Sequence, residues 1–224
     1  MAISKYKRGK ATVLSAYFKS TEFDCEGKDC CTETLIDSDL LNVLTKVRQR
    51  FGPVIINSGY RCRKHNADIG GASASKHISG QAADIRVKDA KGNTVDPLRV
   101  GVFIDSLFAN TYGIEVGSYD TSTGGYVHVD TRGSKWRAIK PAASNGGKYT
   151  TYSTLTPTLR VESKGDAVLV LSRKLKGLKY FKKAATSTFN ADLQSAVINF
   201  QRDNGLTADG IVGPRTWAKI VGLI

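Results

Sequence analysis

What the 224-residue sequence lacks narrows it first. No stretch approaches the roughly 20 apolar residues that span a bilayer, so membrane insertion is not expected. The basic N-terminus, residues 1–10, is followed by no apolar core, and Ala11 to Phe18 is too short and too interrupted for a secretory leader. Synthesis in a cytoplasm without a signal peptide is expected, with passage to any outside target by another route. The sequence also has no aromatic-studded basic stripe of the kind that stacks bases. Its formal net charge of +13 is spread over both parts, +7 in residues 1–150 and +6 in residues 151–224. No segment reads as a nucleic-acid arm, and nucleic acid is not an expected partner. The charge suits another polyanionic partner or a solubilising surface.

Cysteine is scarce and clustered, at Cys25, Cys30, Cys31 and Cys62. A C-x4-C-C run fits no common zinc-finger spacing, and adjacent Cys30 and Cys31 cannot easily pair with each other. Buried thiols, one or two disulfides and a structural metal all remain open.

Hydrophobic spacing divides what is present. Asp37–Ser38 is placed to cap a helix in which Leu40, Leu41, Leu44, Val47 and Phe51 recur at helical intervals, stopped by Gly52-Pro53. Residues 54–57 and 82–87 read as strands, and 97–110 as a helix with Val100, Ile104 and Leu107 buried. Residues 113–119 and 126–130 read as a hairpin around a polar DTSTGG turn. The Ser-, Thr-, Gly- and Pro-rich segment 141–157 reads as a linker. Beyond it, three amphipathic helices are expected. Their apolar stripes are Val168, Leu171, Leu175 and Leu178; Leu193, Ala196, Val197 and Phe200; and Trp217, Ile220, Val221 and Ile224, with Pro214 near the start of the third. The expected fold class is α+β, a small antiparallel sheet with helices in a domain of residues 1–140, plus an all-α three-helix domain at 158–224.

The chain has three histidines, and two of them, His77 and His128, keep unusual company. His77 stands in SKHISGQAAD and His128 in YVHVD. A catalytic zinc site needs three protein ligands and an open position. His77, Asp84 and His128 supply two imidazoles and one carboxylate, leaving a net +1 centre able to acidify water. Asp84 lies between Ala83 and Ile85 in a strand, where a lone carboxylate is costly unless paired or metal-bound. Strand alternation puts Tyr126, His128 and Asp130 on one face. By spacing alone, hydrogen-bonded histidines and a salt-bridged aspartate account for the pattern equally well.

The run S-x-H-x-x-G-x-A-x-D from Ser75 to Asp84, the later H-x-D at His128, and Ser58-Gly59-Tyr60-Arg61 upstream together resemble the zinc D-Ala-D-Ala peptidases. That family includes D-alanyl-D-alanine carboxypeptidases and dipeptidases and phage L-alanyl-D-glutamate endolysin peptidases. The resemblance, over roughly residues 18–137, implies one catalytic Zn2+ held by His77, Asp84 and His128. It also implies that Arg61 stabilises charge on the scissile carbonyl and that Ser75 meets substrate near the metal. Tyr126, on the face of His128, is a second expected substrate contact. The family's general base stands three residues before the second histidine, and here that position is Gly125. Three carboxylates are alternatives. Asp130 shares a face with His128 and is the first choice; Glu115 sits opposite His128 if the hairpin is symmetric about Thr121–Ser122; Asp120 lies nearer the turn.

Residues 158–224, through Phe200-Gln201 and the DGIVGPRTW block at 209–217, are similar to the three-helix peptidoglycan-binding domain of wall hydrolases. The two resemblances imply a peptidase acting on bacterial peptidoglycan, expected to be a monomer and to reach the wall through a holin-made lesion or lysis. A phage endolysin is the leading expectation. A D-Ala-D-Ala carboxypeptidase that trims without lysis, and a non-catalytic wall-binding protein with a structural metal, are the alternatives.

Overall fold

The computed structural model describes residues 2–108, 111–117, 125–140 and 150–224. The N-terminal part is α+β. Strands β1 (Ile3–Lys7) and β2 (Glu33–Asp37) form an antiparallel pair, with a 3-10 turn at Ser20–Phe23 between them. Helix α1 (Ser38–Phe51) starts where expected: the Asp37 side chain accepts the Asp39 amide at 3.0 Å. The other Asp37 oxygen accepts the Thr131 hydroxyl, so the cap also anchors the chain just past His128 and Asp130.

The main sheet holds β3 (Val54–Ser58), β4 (Ala82–Val87), β5 (Gly113–Gly117), β6 (Tyr126–Asp130), β7 (Trp136–Lys140) and β8 (Thr150–Tyr152). Its order is β3-β4-β6-β5-β7-β8. It is therefore larger than the small antiparallel sheet expected, and mixed, because β7 crosses over to pair with β5 in parallel. Arg137 is buried beneath that crossing, where it donates to Asp105 of α3 (Pro97–Phe108) and to the Tyr112 and Trp136 carbonyls. A fully charged side chain is tolerated there because hydrogen bonds and an ion pair replace its water.

Composition concealed β8, whose Thr-rich sequence lies inside the expected linker. Leu155 just after it is fully buried. Part of that linker therefore belongs to the N-terminal sheet and its core, while 141–149 lies outside the described residues. The hairpin turn through Asp120, Thr121 and Ser122, and the expected ends of α3 at Asn110 and of β5 at Tyr119, lie outside them too.

Val43 joins Leu40, Leu44 and Val47 in the core face of α1. On α3 the stripe is Leu98, Val100, Gly101 and Ile104, and Leu107 is 46% exposed, contrary to expectation. The helix packs closely on the sheet at Gly101, where a Cβ would come within 2.8 Å of a Val116 methyl. Leu107 stands in the last turn, past Ile104, the final buried position of the helix.

The C-terminal helices are α4 (Asp166–Gly177), α5 (Ala191–Asp203) and α6 (Pro214–Ile220). They follow a short α2 (Arg63–Asp68) in the first part, which has too few residues to show a periodicity. Leu193, Ala196, Val197, Phe200, Trp217 and Ile220 are buried as the spacing predicts. Leu178 and Ile224 are instead exposed, at 45% and 64%, because each lies beyond the last helical turn. No helix among the described residues is long and apolar enough to cross a membrane.

Candidate active site

The register of the sheet builds the site as a row. Ser58 pairs with Asp84, Asp84 with His128, and His128 with Glu115, across four strands. Cross-strand partners place their Cβ atoms about 5 Å apart on one face, so residues distant in sequence become neighbours. His77 enters from the loop before β4. Its Nδ1–H donates to the Gly59 carbonyl at 2.7 Å, which leaves Nε2 turned toward His128 Nδ1, 3.2 Å away. His128 Nδ1 is in turn 2.9 Å from Asp84 Oδ1. One ligand atom from each of His77, Asp84 and His128 lies within 4.8 Å of the others.

Charge is concentrated here. Burial disfavours ionised Asp84, but hydrogen bonds from His128 and His77 overcome it and hold the carboxyl well below the usual carboxylate range. Arg61 pairs with the same carboxylate, its Nη2 donating to Asp84 Oδ2 at 2.7 Å while Nε donates to Ser58 Oγ at 2.8 Å. Burial likewise opposes a charge on His128, yet Asp130 and Asp84 push its pKa up to about 9.

Asp130 lies on the other side of the His128 ring. Its Oδ2 is 3.0 Å from His128 Nε2. Both of its oxygens also accept from the Arg132 guanidinium, and its side chain is fully buried. The imidazole thus stands between Asp130, the first choice of base from the sequence, and the His77–Asp84 side. Its geometry is that of a carboxylate that fixes the tautomer and angle of a ligand histidine. Alternation predicted the shared face correctly, but two residues on one face flank the ring rather than meet across it.

Glu115 faces the cleft. The structure puts it opposite His128, the register that symmetry about Thr121–Ser122 requires. The Tyr126 hydroxyl donates to Glu115 Oε1 at 2.7 Å. Burial and the Glu115 carboxylate push the Tyr126 phenol up, so it stays a donor. Two glycines make this possible. A Cβ at Gly117 would sit 2.2 Å from the Tyr126 ring, and one at Gly113 would sit 2.3 Å from Asp130 Oδ2. The pattern G-x-E-x-G on β5 thus clears space on both sides of Glu115 for the large side chains of Y-x-H-x-D on β6.

The open cleft above this row has a volume of about 570 Å³. Ser75, Arg61, Tyr126 and Glu115 line it with the three clustered residues, and Asp130 does not. Among the further lining residues, Lys76, Arg132 and Trp136 were given no role in the sequence reading. Arg132 lies 4.5 Å over the Trp136 ring, and His128 meets Trp136 edge-on at 6.4 Å. Lys76 stands inside the SKHISGQAAD run and Arg132 and Trp136 in the tail HVDTRGSKWRA, where nothing about residue type distinguishes a cleft wall from a surface loop.

A model described as "Putative peptidoglycan binding domain" matches residues 164–220. With the N-terminal cleft, that layout defines a cell-wall peptidase. More narrowly, the Peptidase M15 model matches residues 16–130, over half of the sequence, and the chain belongs to that family. It is 41% identical over 93 residues to an uncharacterized protein in the bpoA1 3′ region of Kitasatospora aureofaciens, covering 41% of this chain and 75% of that protein. It is 33% identical over 81 residues to the N-acetylmuramoyl-L-alanine amidase CwlM of Mycobacterium tuberculosis, covering 36% of this chain but only 19% of that one. The crystal structure of a Burkholderia AP3 phage endolysin matches at 34% identity over 29% of this chain and 24% of that chain, with a TM-score of 0.28.

Proposed function

We propose that this protein is a zinc-dependent endopeptidase that hydrolyses an amide bond in the stem peptide or cross-bridge of peptidoglycan, in the manner of an endolysin. The observation that carries the reading is the row Asp84–His128–Glu115 with His77 beside it, facing an open cleft. The donor set suits zinc: His77 has its Nδ1–H committed to Gly59 and His128 has Nε2 committed to Asp130, so each presents its other nitrogen to Asp84. When bound, zinc supplies Lewis acidity toward a carbonyl oxygen and toward water.

The chain's own groups do the rest. Glu115 takes a proton from the attacking water at Oε2, while Tyr126 holds Oε1 in place. The water oxygen bonds to the carbonyl carbon; the C–N bond then breaks, and Glu115 returns the proton to the leaving amine. Arg61 stabilises the charge that develops on the carbonyl oxygen, a role for which its position beside Asp84 fits. Arg61, Lys76 and Arg132 give the cleft a positive rim that suits the carboxylates of a wall peptide.

The C-terminal part is proposed to hold the enzyme on the wall. A groove of about 320 Å³ lies between α5 and α6, with Leu206, Ile211, Pro214 and Arg215 among its walls. Mass spectrometry of wall digests tests the reading. New amino termini within the stem or bridge, with clearing of a sacculus suspension, are expected. Release of free D-alanine alone would replace it with a carboxypeptidase.

A further inference from the structure

The four cysteines lie outside the cleft and take no part in the proposed reaction. Cys25 follows the 3-10 turn, Cys30 and Cys31 end the loop before β2, and Cys62 caps α2 directly after Arg61. Folding brings one sulfur from each within 4.8 Å of the others. Cys25 Sγ is 3.4 Å from Cys30 Sγ, which is 3.7 Å from Cys31 Sγ. A disulfide requires about 2.05 Å. Four thiolates placed tetrahedrally around zinc at about 2.3 Å would stand about 3.8 Å apart. The spacing is that of an ion's ligands.

The surroundings agree. The Cys62 amide donates to Cys25 Sγ and the His65 amide to Cys62 Sγ, each at 3.4 Å, as amides do around ligand thiolates. Arg8 donates to the Gly27 carbonyl at 2.7 Å and to the Cys31 carbonyl at 3.2 Å, placing a fixed cation beside what would be a doubly negative centre. Gly27 is packed so closely that a Cβ would lie 2.6 Å from Cys30 Sγ and 2.7 Å from the His65 Cβ.

We infer that Cys25, Cys30, Cys31 and Cys62 form a closed tetrathiolate site for a second, structural zinc ion that clamps the loop carrying Arg61. Four protein ligands leave no open position, which separates this site from a catalytic one. The loop it holds does two jobs. Tyr60 bonds through its amide to the Phe23 carbonyl at 2.9 Å, and Gly59 accepts from His77 Nδ1. An ion joining Cys25 to Cys62 would therefore fix both the Arg61 guanidinium and the angle of the His77 ring.

The inference stands on the cysteines alone and is tested apart from the reaction. Full-length protein purified under reducing conditions without chelator should carry two zinc ions per chain by inductively coupled plasma mass spectrometry. His77→Ala should retain one, Cys25→Ser/Cys31→Ser should retain the other, and Cys31→His should keep two. After cobalt replacement, a thiolate-to-cobalt charge-transfer band should persist in His77→Ala and vanish in Cys25→Ser/Cys31→Ser. If the serine variant does not fold, thiol titration of the unaltered protein decides: a mercurial should release one zinc as four thiols react. A single zinc per chain with four freely reactive thiols would overturn the inference. So would disulfides in the unreduced protein, or iron in place of zinc.

Discussion

The two parts of the molecule use their most distinctive residues in opposite ways. In the C-terminal part they are buried and hold the fold. Gln201 Nε2 donates to Asp209 Oδ1 and the Ile211 carbonyl, both at 2.9 Å, and its Oε1 accepts the Gly210 amide at 2.9 Å. One glutamine on α5 thereby pins the whole turn before α6, while Trp217 is buried and donates to the Pro157 carbonyl. In the N-terminal part the distinctive residues face a cleft and are held by others: Gly59 by way of its carbonyl, Asp130, and the glycines of β5. A short local motif can thus mark a scaffold or a reaction centre, and only the burial of its polar atoms tells which.

The sharpest break in the comparison comes from the ligands. Replacing His77, Asp84 or His128 with Ala should abolish wall digestion and remove the cleft zinc, read by metal analysis against the unaltered protein; full occupancy in all three would end the metal reading. Glu115→Gln comes next. It should retain zinc and lose about 10²–10⁴ in turnover on muropeptides, the usual range for a general base. Asp130→Asn should act differently, weakening zinc affinity about 10–100-fold as loss of an outer-shell partner does, with turnover recovering at saturating zinc. If Asp130→Asn stays loaded and dead while Glu115→Gln works, the two roles are reversed.

The pH dependence has a definite sign. Burial works against a charged His128, but Asp130 and Asp84 raise its pKa to about 9. In the metal-free protein its charge contributes stability that is fully present below about pH 6.5 and is lost as pH rises through about 9. Zinc competes with that proton, so its affinity should climb across the same window. Calorimetry in buffers of different ionisation heat should detect proton release on zinc binding at pH 7, and none would refute the charged imidazole. The smallest effect belongs to the scaffold. Gln201→Ala leaves buried polar groups unpaired, at about 1–3 kcal/mol, and should lower the unfolding midpoint while leaving the hydrolysis of soluble muropeptides unchanged.

Much of this was legible because it was local. The cap at Asp37, the stripe of α5 and the strand around Asp84 follow from intervals of two to four residues. The proposed ligand set was legible for a different reason: histidine is rare here, and both cleft histidines sit in recognisable motifs. The base was not. Glu115 and Asp130 are equally plausible on β-strands, and what distinguishes their surroundings is that Glu115 lines the cleft while Asp130 is buried against the His128 ring. Strands β1, β2 and β7 escaped because five residues without strict alternation give too short a signal, and β8 was hidden by its resemblance to a linker. The packing of Leu107 was misjudged because a hydrophobic stripe assumes a helix stays covered to its end, whereas the buried positions of α3 stop at Ile104.

Trp136, touching His128 edge-on and stacked under Arg132, gives the cleft an optical gauge. The sequence has two tryptophans, and the other, Trp217, is sealed in the helical part. Indole emission is quenched by a protonated imidazole in contact with it, so the light from this protein should brighten as His128 exchanges its proton for a metal. Titrating zinc or pH while watching that emission would follow the site filling in real time, with no label and against a constant internal background.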